Sequence, residues 1–211
     1  MKAILGFDDT RKLLVKYGFP LLEEGLAKTE DEAVKIANEI GFPVVLKLLP
    51  PDVNHRESVS TILNSAEEVR QEYQKILKNA GGHLEPDALD ILVQKRTAHG
   101  MEAVIGMTRD PQLGHIVTFG LSGLFAFLKD ISHRVAPVSK EEAIKMIKET
   151  EAYGVIKGDE KKSADTEAIA DVIEKVSNLC MENDDILEIE INPLFIYERG
   201  AVVIEARIVV E

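Results

Sequence analysis

The chain has very little cysteine, no long apolar run and fewer basic than acidic residues. Its 211 residues include a single cysteine, Cys180, which excludes an internal disulfide and fits a reducing compartment. Cys180 falls on the apolar stripe of a predicted helix, so we expect it in the core. No apolar run approaches the roughly 18 residues that a membrane helix needs, and the N-terminus lacks a signal-peptide pattern. We therefore expect a cytoplasmic protein without a membrane partner.

The charge balance also excludes a class of partner. The chain has 25 basic and 37 acidic residues, a net charge of −12 at pH 7. A protein that binds along nucleic acid needs a basic face, because phosphate contacts supply most of that affinity. Nucleic acid is therefore not expected as a partner. A nucleotide needs only a few local cations and stays compatible with this composition.

Capping signals and hydrophobic periodicity predict an α+β chain of two lobes. Capping boxes begin at Thr29, Ser65 and Ser139, each with a glutamate three positions later. The predicted helices span about 9–17, 29–41, 65–80, 165–182 and a stretch from 139. The predicted strands span about 20–27, 43–49, 89–97, 101–108 and 115–119, followed by a C-terminal hairpin. We expect an N-terminal domain over 1–96, including the leading helix, and a C-terminal domain over 97–211.

The C-terminal hairpin concentrates side-chain oxygens. Alternation places Glu188, Glu190 and Asn192 on one face of its first strand. A turn at Glu198–Gly200 brings Glu205 opposite Glu190 or Asn192, within about two residues of register. Carboxylate and amide oxygens that converge in this way predict a Mg²⁺ site. A polar sheet face open to water is the alternative.

Several residues of the first half have the chemistry to meet a nucleotide. Lys47 lies in an aliphatic strand, so its ammonium must reach either solvent or an anion such as phosphate. The strand end at Gln94 and Lys95 could present backbone groups to an adenine edge, and Glu102 could meet a ribose hydroxyl. A surface lysine, an ordinary strand end and an exposed glutamate are the alternatives.

Other residues could contact or transfer a phosphoryl group. Gly120 and Gly123 form a small-residue turn that lets backbone N–H groups approach phosphate, or a simple turn. His55, in the loop after the Lys47 strand, is either an idle surface residue or a nucleophile toward phosphorus, because its ordinary pKa lies near neutrality. Arg56 and Arg134 could offset phosphate charge.

These motifs occur in an order that resembles the β subunit, or ATP-grasp half, of ADP-forming acyl-CoA (acetyl-CoA) synthetases, within the succinyl-CoA synthetase superfamily. The similarity runs over nearly the whole chain. The motifs that carry it include GFPVVLK at 41–47, PDVNH at 51–55, VQK at 93–95, IGMTRDP at 105–111, LKDISHR at 128–134 and EINPLF at 190–195.

The resemblance implies an ATP-grasp fold, in which two α+β subdomains clasp ATP. The implied chemistry is acyl-CoA + ADP + phosphate ⇌ acid + CoA + ATP, by a phosphohistidine relay. The implied roles are phosphate binding by Lys47, an adenine hinge at Gln94, Lys95 and Arg96, a ribose contact at Glu102, Mg²⁺ binding by Asn192 and Glu205, support of the metal or a phosphohistidine by Glu190, and relay by His55.

The resemblance also implies that the chain does not complete the reaction alone. It would need an α subunit that carries the CoA-binding domain and the main phosphohistidine, in an α2β2 assembly. Two loops depart from the family pattern: paired glycines are missing after His55, and Ser122–Gly123 stands where the family has two glycines. Glu190 and Glu205 replace the usual aspartates. The alternative hypothesis is therefore a catalytically weakened ATP-grasp module that acts as a binding, regulatory or assembly subunit.

Overall fold

A computed structural model describes residues 2–49, 59–80, 90–128, 130–158 and 163–211. The helices are α1 Phe7–Lys16, α2 Glu30–Ile40, α3 Ala66–Ala80, α4 Lys140–Glu149, α5 Tyr153–Lys157 and α6 Thr166–Glu182, with a 3₁₀ helix at Gly123–Leu128. The strands are β1 Ala3–Ile4, β2 Glu24–Ala27, β3 Val44–Leu49, β4 Asp90–Lys95, β5 Met101–Asp110, β6 Gly114–Leu121, β7 Ile131–Val135, β8 Ile186–Ile196, β9 Ala201–Val203 and β10 Ala206–Val210. The predicted α+β class is confirmed.

The chain divides into two compact units, a smaller one over Leu22–Ala98 and a larger one formed by Met1–Leu21 with His99–Glu211. The smaller unit contains an antiparallel sheet in the order β2-β4-β3. Val44, Leu46 and Leu48 alternate along β3 and are buried in the same core as residues of α2 and α3. The opposite face of this sheet carries the alternate residues, including Lys47.

The larger unit contains a seven-stranded sheet in the order β1-β10-β8-β5-β6-β7, with β9 also paired to β8. One face bears buried residues such as Ile105, Met107, Ile189 and Ile191, which share a core with α4 and α6. The other face, called here the open face, carries the alternate residues of the same strands. Polar side chains therefore collect there.

The core of the larger unit includes Cys180, as predicted. Its side chain is fully buried in α6, and burial raises the pKa of the thiol to about 11. The thiol is therefore protonated and unreactive at neutral pH. Among the described residues, no helix is long and apolar enough to cross a membrane.

The leading segment belongs with the larger unit, which differs from the predicted division into 1–96 and 97–211. Leu14 and Phe19 are buried in the core of the larger unit. The Tyr17 hydroxyl lies 2.7 Å from the Glu182 carboxylate and donates to it. Periodicity indicated a helix here, but it does not specify which apolar surface covers that helix. The break between the units, after Ala98, lies close to the predicted one.

Candidate functional site

The open face of the larger sheet brings three predicted residues together at its C-terminal hairpin. Glu190 pairs with Arg207 of β10, and Ile191 pairs with Ala206. The next position along this register places Glu205 opposite Asn192, whose N–H donates to the Glu205 carbonyl at 3.1 Å. The predicted range of register is thus confirmed, while Glu205 itself lies in the break between β9 and β10. Neighbouring positions on paired strands are close enough for side chains to share a ligand.

The Glu190 carboxylate has contacts on both of its oxygens. Asn192 Nδ2 lies 3.4 Å from Glu190 Oε1, and Arg207 Nη2 lies 3.4 Å from Glu190 Oε2. Arg207 also donates to Glu188 on the same face. Sequence reasoning did not assign Arg207 a role. Its signal was the parity of the hairpin register, which places it directly across from Glu190.

The donor types at this place suit a hard cation, since Mg²⁺ prefers carboxylate and amide oxygens. Among the described residues, no group of three or more His, Cys, Asp or Glu side chains could hold a metal ion. The predicted set has a different composition, with two carboxylates and one amide. Glu190, Asn192 and Glu205 therefore fit Mg²⁺ by their chemistry, and their joint coordination stays a prediction.

Gly106 lies beside Glu190, on the side away from Arg207. It pairs with both Glu190 and Thr118, in one row across the sheet. A Cβ at Gly106 would lie 2.7 Å from Thr118 Oγ1, so only glycine fits under that hydroxyl. Sequence reasoning did not single out Gly106, because a glycine inside a strand gives no indication of what approaches it.

Glu102 and Gly123 also lie together in the larger unit. Gly123 has a φ of 58°, in the left-handed region, and a Cβ there would come within 2.6 Å of the Glu102 carboxyl carbon. His99 Nε2 lies 3.4 Å from Glu102 Oε1, and the His99 ring packs edge-on against Phe195 at 5.0 Å. The turn at Gly123 therefore holds the Glu102 carboxylate against exposed backbone. This arrangement is suitable for a polar ligand.

Gly120 occupies a different position from the predicted turn. It lies inside β6, paired with Val104 on one side and Ile131 on the other. A Cβ there would lie 3.0 Å from the Asp130 carbonyl oxygen, so glycine permits the close approach of the start of β7. The turn begins one residue after the strand ends, and Gly120 is correctly understood as a packing residue rather than a phosphate cradle.

Arg134 is likewise not positioned as a catalytic residue. It pairs with buried Val117 and so faces the helix-covered side of the sheet. Its Nε donates to Glu142 at 2.7 Å, and its Nη2 donates to both oxygens of Glu149 at 2.7 and 2.6 Å. These carboxylates of α4, Glu149 first, raise the pKa of the guanidinium. Arg134 therefore attaches α4 to β7.

In the smaller unit, Lys47 and Gln94 lie on the face of the sheet away from its helices. Lys47 pairs with Leu92, and Gln94 pairs with Val45 and Glu24. Gln94 is 2% exposed, and its Nε2 donates to Glu24 at 2.6 Å. The hydrogen bond fixes which end of the Gln94 amide faces Glu24. Sequence reasoning missed Glu24, because its place depends on the pairing of β2 with β4.

The predicted adenine hinge, at Gln94, Lys95 and Arg96, is hydrogen-bonded to other residues of the smaller unit. The N–H of Lys95 donates to the Glu23 carbonyl at 2.8 Å, and the N–H of Arg96 donates to the Pro43 carbonyl at 3.0 Å. The Lys95 ammonium donates to the carbonyls of Gly41 and Phe42 at 2.7 and 3.2 Å. Lys95 thus stabilises the chain after α2, and these two N–H groups are already used. His55 and Arg56 lie outside the described residues.

Comparison with known proteins decides the family. A family model described as an ATP-grasp domain matches residues 1–210. The chain belongs to the ATP-grasp family. A similar protein is the β subunit of the ADP-forming acetate–CoA ligase I of Pyrococcus furiosus, with 40% identity over 208 residues, which cover 95% of this chain and 89% of that one. The ADP-forming acetate–CoA ligase I of Archaeoglobus fulgidus is 39% identical over 93% of this chain and 30% of its own length.

Solved structures of this ATP-grasp group agree with the fold. The dinucleotide-forming acetyl-coenzyme A synthetase 1 of Ca. Korarchaeum cryptofilum, in complex with coenzyme A, Ca-AMPCP and HgCl⁺, is 38% identical with a TM-score of 0.88. The similarity covers 100% of this chain and 93% of that one. The resemblance found in the sequence and the ATP-grasp fold that it implied are both confirmed.

Proposed function

We propose that this chain is the nucleotide-binding β subunit of an ADP-forming acyl-CoA synthetase. The reaction of the complex is acyl-CoA + ADP + phosphate ⇌ acid + CoA + ATP. The observation that carries the proposal is the hairpin register that sets Glu205 beside Asn192 and Glu190, in an ATP-grasp chain 40% identical to such a subunit over nearly its whole length. A metal-nucleotide needs such an oxygen-rich hairpin.

Each unit has its own candidate nucleotide contacts. Lys47 binds phosphate oxygens through charge-assisted contacts from its ammonium, the role that the family resemblance implies. At the hinge, the used N–H groups of Lys95 and Arg96 leave recognition of adenine to the carbonyl oxygens that follow Gln94. Glu102 accepts from a ribose hydroxyl.

Glu190, Asn192 and Glu205 hold Mg²⁺ with the nucleotide phosphates. When bound, Mg²⁺ offsets the charge of the phosphate oxygens as the phosphoryl group transfers. Glutamates extend their carboxylates farther from the backbone than aspartates do, by about 1.5 Å per added bond.

A partner subunit completes the reaction. His55 accepts the phosphoryl group from the main phosphohistidine of an α subunit and passes it to ADP. In an α2β2 complex, that α subunit also supplies the CoA-binding domain. The β-subunit relative supports the need for a partner, since its name designates one subunit of a ligase. A free, buried cysteine supports function in the reducing cytoplasm.

Calorimetric titration of the purified chain with ADP tests the nucleotide assignment. We expect saturable binding that strengthens when Mg²⁺ is added, with the alanine variant of Asn192 losing the Mg²⁺ effect and keeping weak binding. No heat of binding at millimolar ADP with Mg²⁺ present would contradict the proposal. It would favour the alternative of a weakened module, which the missing glycine pair after His55 motivates.

A further inference from the structure

Four side chains form a connected cluster on the open face, and two of them are predicted metal ligands. They are Glu188, Glu190, Asn192 and Arg207, called here the Arg207 cluster. We propose that Arg207 is a positioning residue that orients the Glu190 carboxylate for the metal-nucleotide, with Glu188 as its anchor. This inference rests on the proposed function.

The register places the guanidinium where it reaches both glutamates. Arg207 pairs with Glu190, and Val209 pairs with Glu188, so the two glutamates lie on the same side of the sheet as Arg207. Its Nη2 donates to Glu188 Oε1 and lies 3.4 Å from Glu190 Oε2. The shorter contact, to Glu188, holds the guanidinium in place, and the longer contact orients the Glu190 carboxylate.

Glu190 is held from two sides, which defines the direction of its carboxylate. Asn192 Nδ2 approaches Oε1 at 3.4 Å, opposite the contact that Arg207 makes with Oε2. Residues two apart on a strand are separated by about 6.7 Å, so Glu188 and Glu190 repel each other unless a cation lies between them. Arg207 supplies that cation. Without it, the Glu190 carboxylate would turn away from its neighbour and from Asn192.

Stability alone does not account for the cluster. The side chains of Arg207, Glu188 and Glu190 are 42%, 40% and 40% exposed. Ion pairs at such exposure contribute little to folding, because water screens them and ordering two side chains costs entropy. Groups that orient a metal ligand, in contrast, typically change metal affinity by about 10–100-fold when removed.

The positive charge of Arg207 would repel a nearby Mg²⁺, and the negative charge of Glu188 offsets that repulsion. The Glu188 carboxylate neutralises the guanidinium on the side away from Asn192, so the pair adds no net charge beside the metal. The positioning contact to Glu190 is kept. A lysine could not contact both carboxylates in the same way, because its ammonium lacks the planar fork of a guanidinium.

The test is the Mg²⁺ concentration that half-saturates the enhancement of ADP binding, measured by calorimetry on the purified chain. R207Q should raise this concentration about tenfold and leave ADP binding without Mg²⁺ unchanged. R207K should give an intermediate value. E188Q should raise it less than R207Q does, and the double variant should be no worse than R207Q alone, because both changes act through one contact.

R109Q is the matched control. Arg109, on β5 of the same sheet, is 39% exposed, and its guanidinium pairs with Glu211 at 3.3 Å and donates to the Asp184 carbonyl at 2.7 Å, without contact to the Arg207 cluster in the described hydrogen bonds. Its midpoint for Mg²⁺ should equal that of the wild type. An unchanged or lower midpoint in R207Q would overturn the positioning role, as would an equal loss of ADP binding with and without Mg²⁺. If the wild type bound no ADP at all, the proposed function itself would fall.

Discussion

At the residue scale, the function of a charged side chain depends on the groups that face it. Arg134 faces α4 and is surrounded by two carboxylates, whereas Lys47 lies on a sheet face away from the helices of its unit. Both residues are cations in strands, and both were predicted to meet phosphate. The pairing of each strand therefore determines which groups its cation can meet, and phosphate binding by Lys47 stays a prediction.

The alanine variant of Lys47 should weaken ADP binding by about 1.5–3 kcal/mol, the magnitude of a charge-assisted contact that is lost. Calorimetry measures the change. K75A is a control from the same unit, because Lys75 is 62% exposed on α3 and forms an ion pair with Glu72 at 3.0 Å. Equal affinity in wild type and K47A would show that Lys47 is a surface lysine.

Arg134 should behave in the opposite way. R134Q should lower the free energy of unfolding by about 1–2 kcal/mol, because hydrogen bonds from a charged group to α4 are lost. Nucleotide affinity should stay unchanged, since the side chain faces the helices. Denaturant unfolding and calorimetry on the same variant measure both effects, and a loss of affinity without a loss of stability would contradict this assignment.

At the element scale, one carboxylate connects the hairpin turn to the long helix α6. Asp165 caps α6 by accepting from the Ala168 N–H at 3.0 Å, and it accepts from the Gly200 N–H at 2.7 Å. The bond from Gly200, followed by those at the helix start, holds the pKa of Asp165 below its ordinary value. This contact holds the hairpin turn in place, and the turn sets the register of the predicted metal ligands Glu190, Asn192 and Glu205.

The pH dependence of stability follows from the direction of that shift. Because the folded state depresses the pKa, the contribution of Asp165 is fully present above the unfolded value of about 3.9, and it is lost as the pH falls through the lower folded value. D165N should therefore be less stable than wild type at neutral pH, by about 1 kcal/mol, because a neutral amide oxygen replaces the charged acceptor of two backbone N–H groups. The difference should shrink in acid. Thermal unfolding between pH 7 and 2 measures it, and a constant difference would contradict the linkage.

Local sequence signals predicted most elements of this fold, and non-local pairing decided the rest. The serine caps, the β3 alternation and the hairpin were all readable, because each depends on residues close in sequence. The strand β7 at Ile131–Val135 was missed, since its five residues, ISHRV, show no alternation of apolar and polar side chains. Without β7, neither the direction of Arg134 nor the position of Gly120 beside Ile131 could be derived.

At the scale of the whole molecule, resemblance and register together determined the candidate site. The hairpin parity gave Glu190, Asn192 and Glu205 from the sequence alone, and the same parity held the signal for Arg207, whereas Gly106 and Glu24 needed the pairing of strands distant in the chain. The leading segment shows the same limit. Its helix was predicted, yet the core that buries Leu14 and Phe19 comes from residues after His99.

The most direct test of the central claim is ATP formation from acetyl-CoA, ADP and phosphate by this chain mixed with its α subunit. We expect turnover that requires both subunits and Mg²⁺. H55A should abolish it while leaving ADP affinity nearly unchanged, because a relay histidine contributes to phosphoryl transfer and little to ground-state binding. Full turnover in H55A, or no ATP from the assembled complex while ADP still binds, would contradict the account.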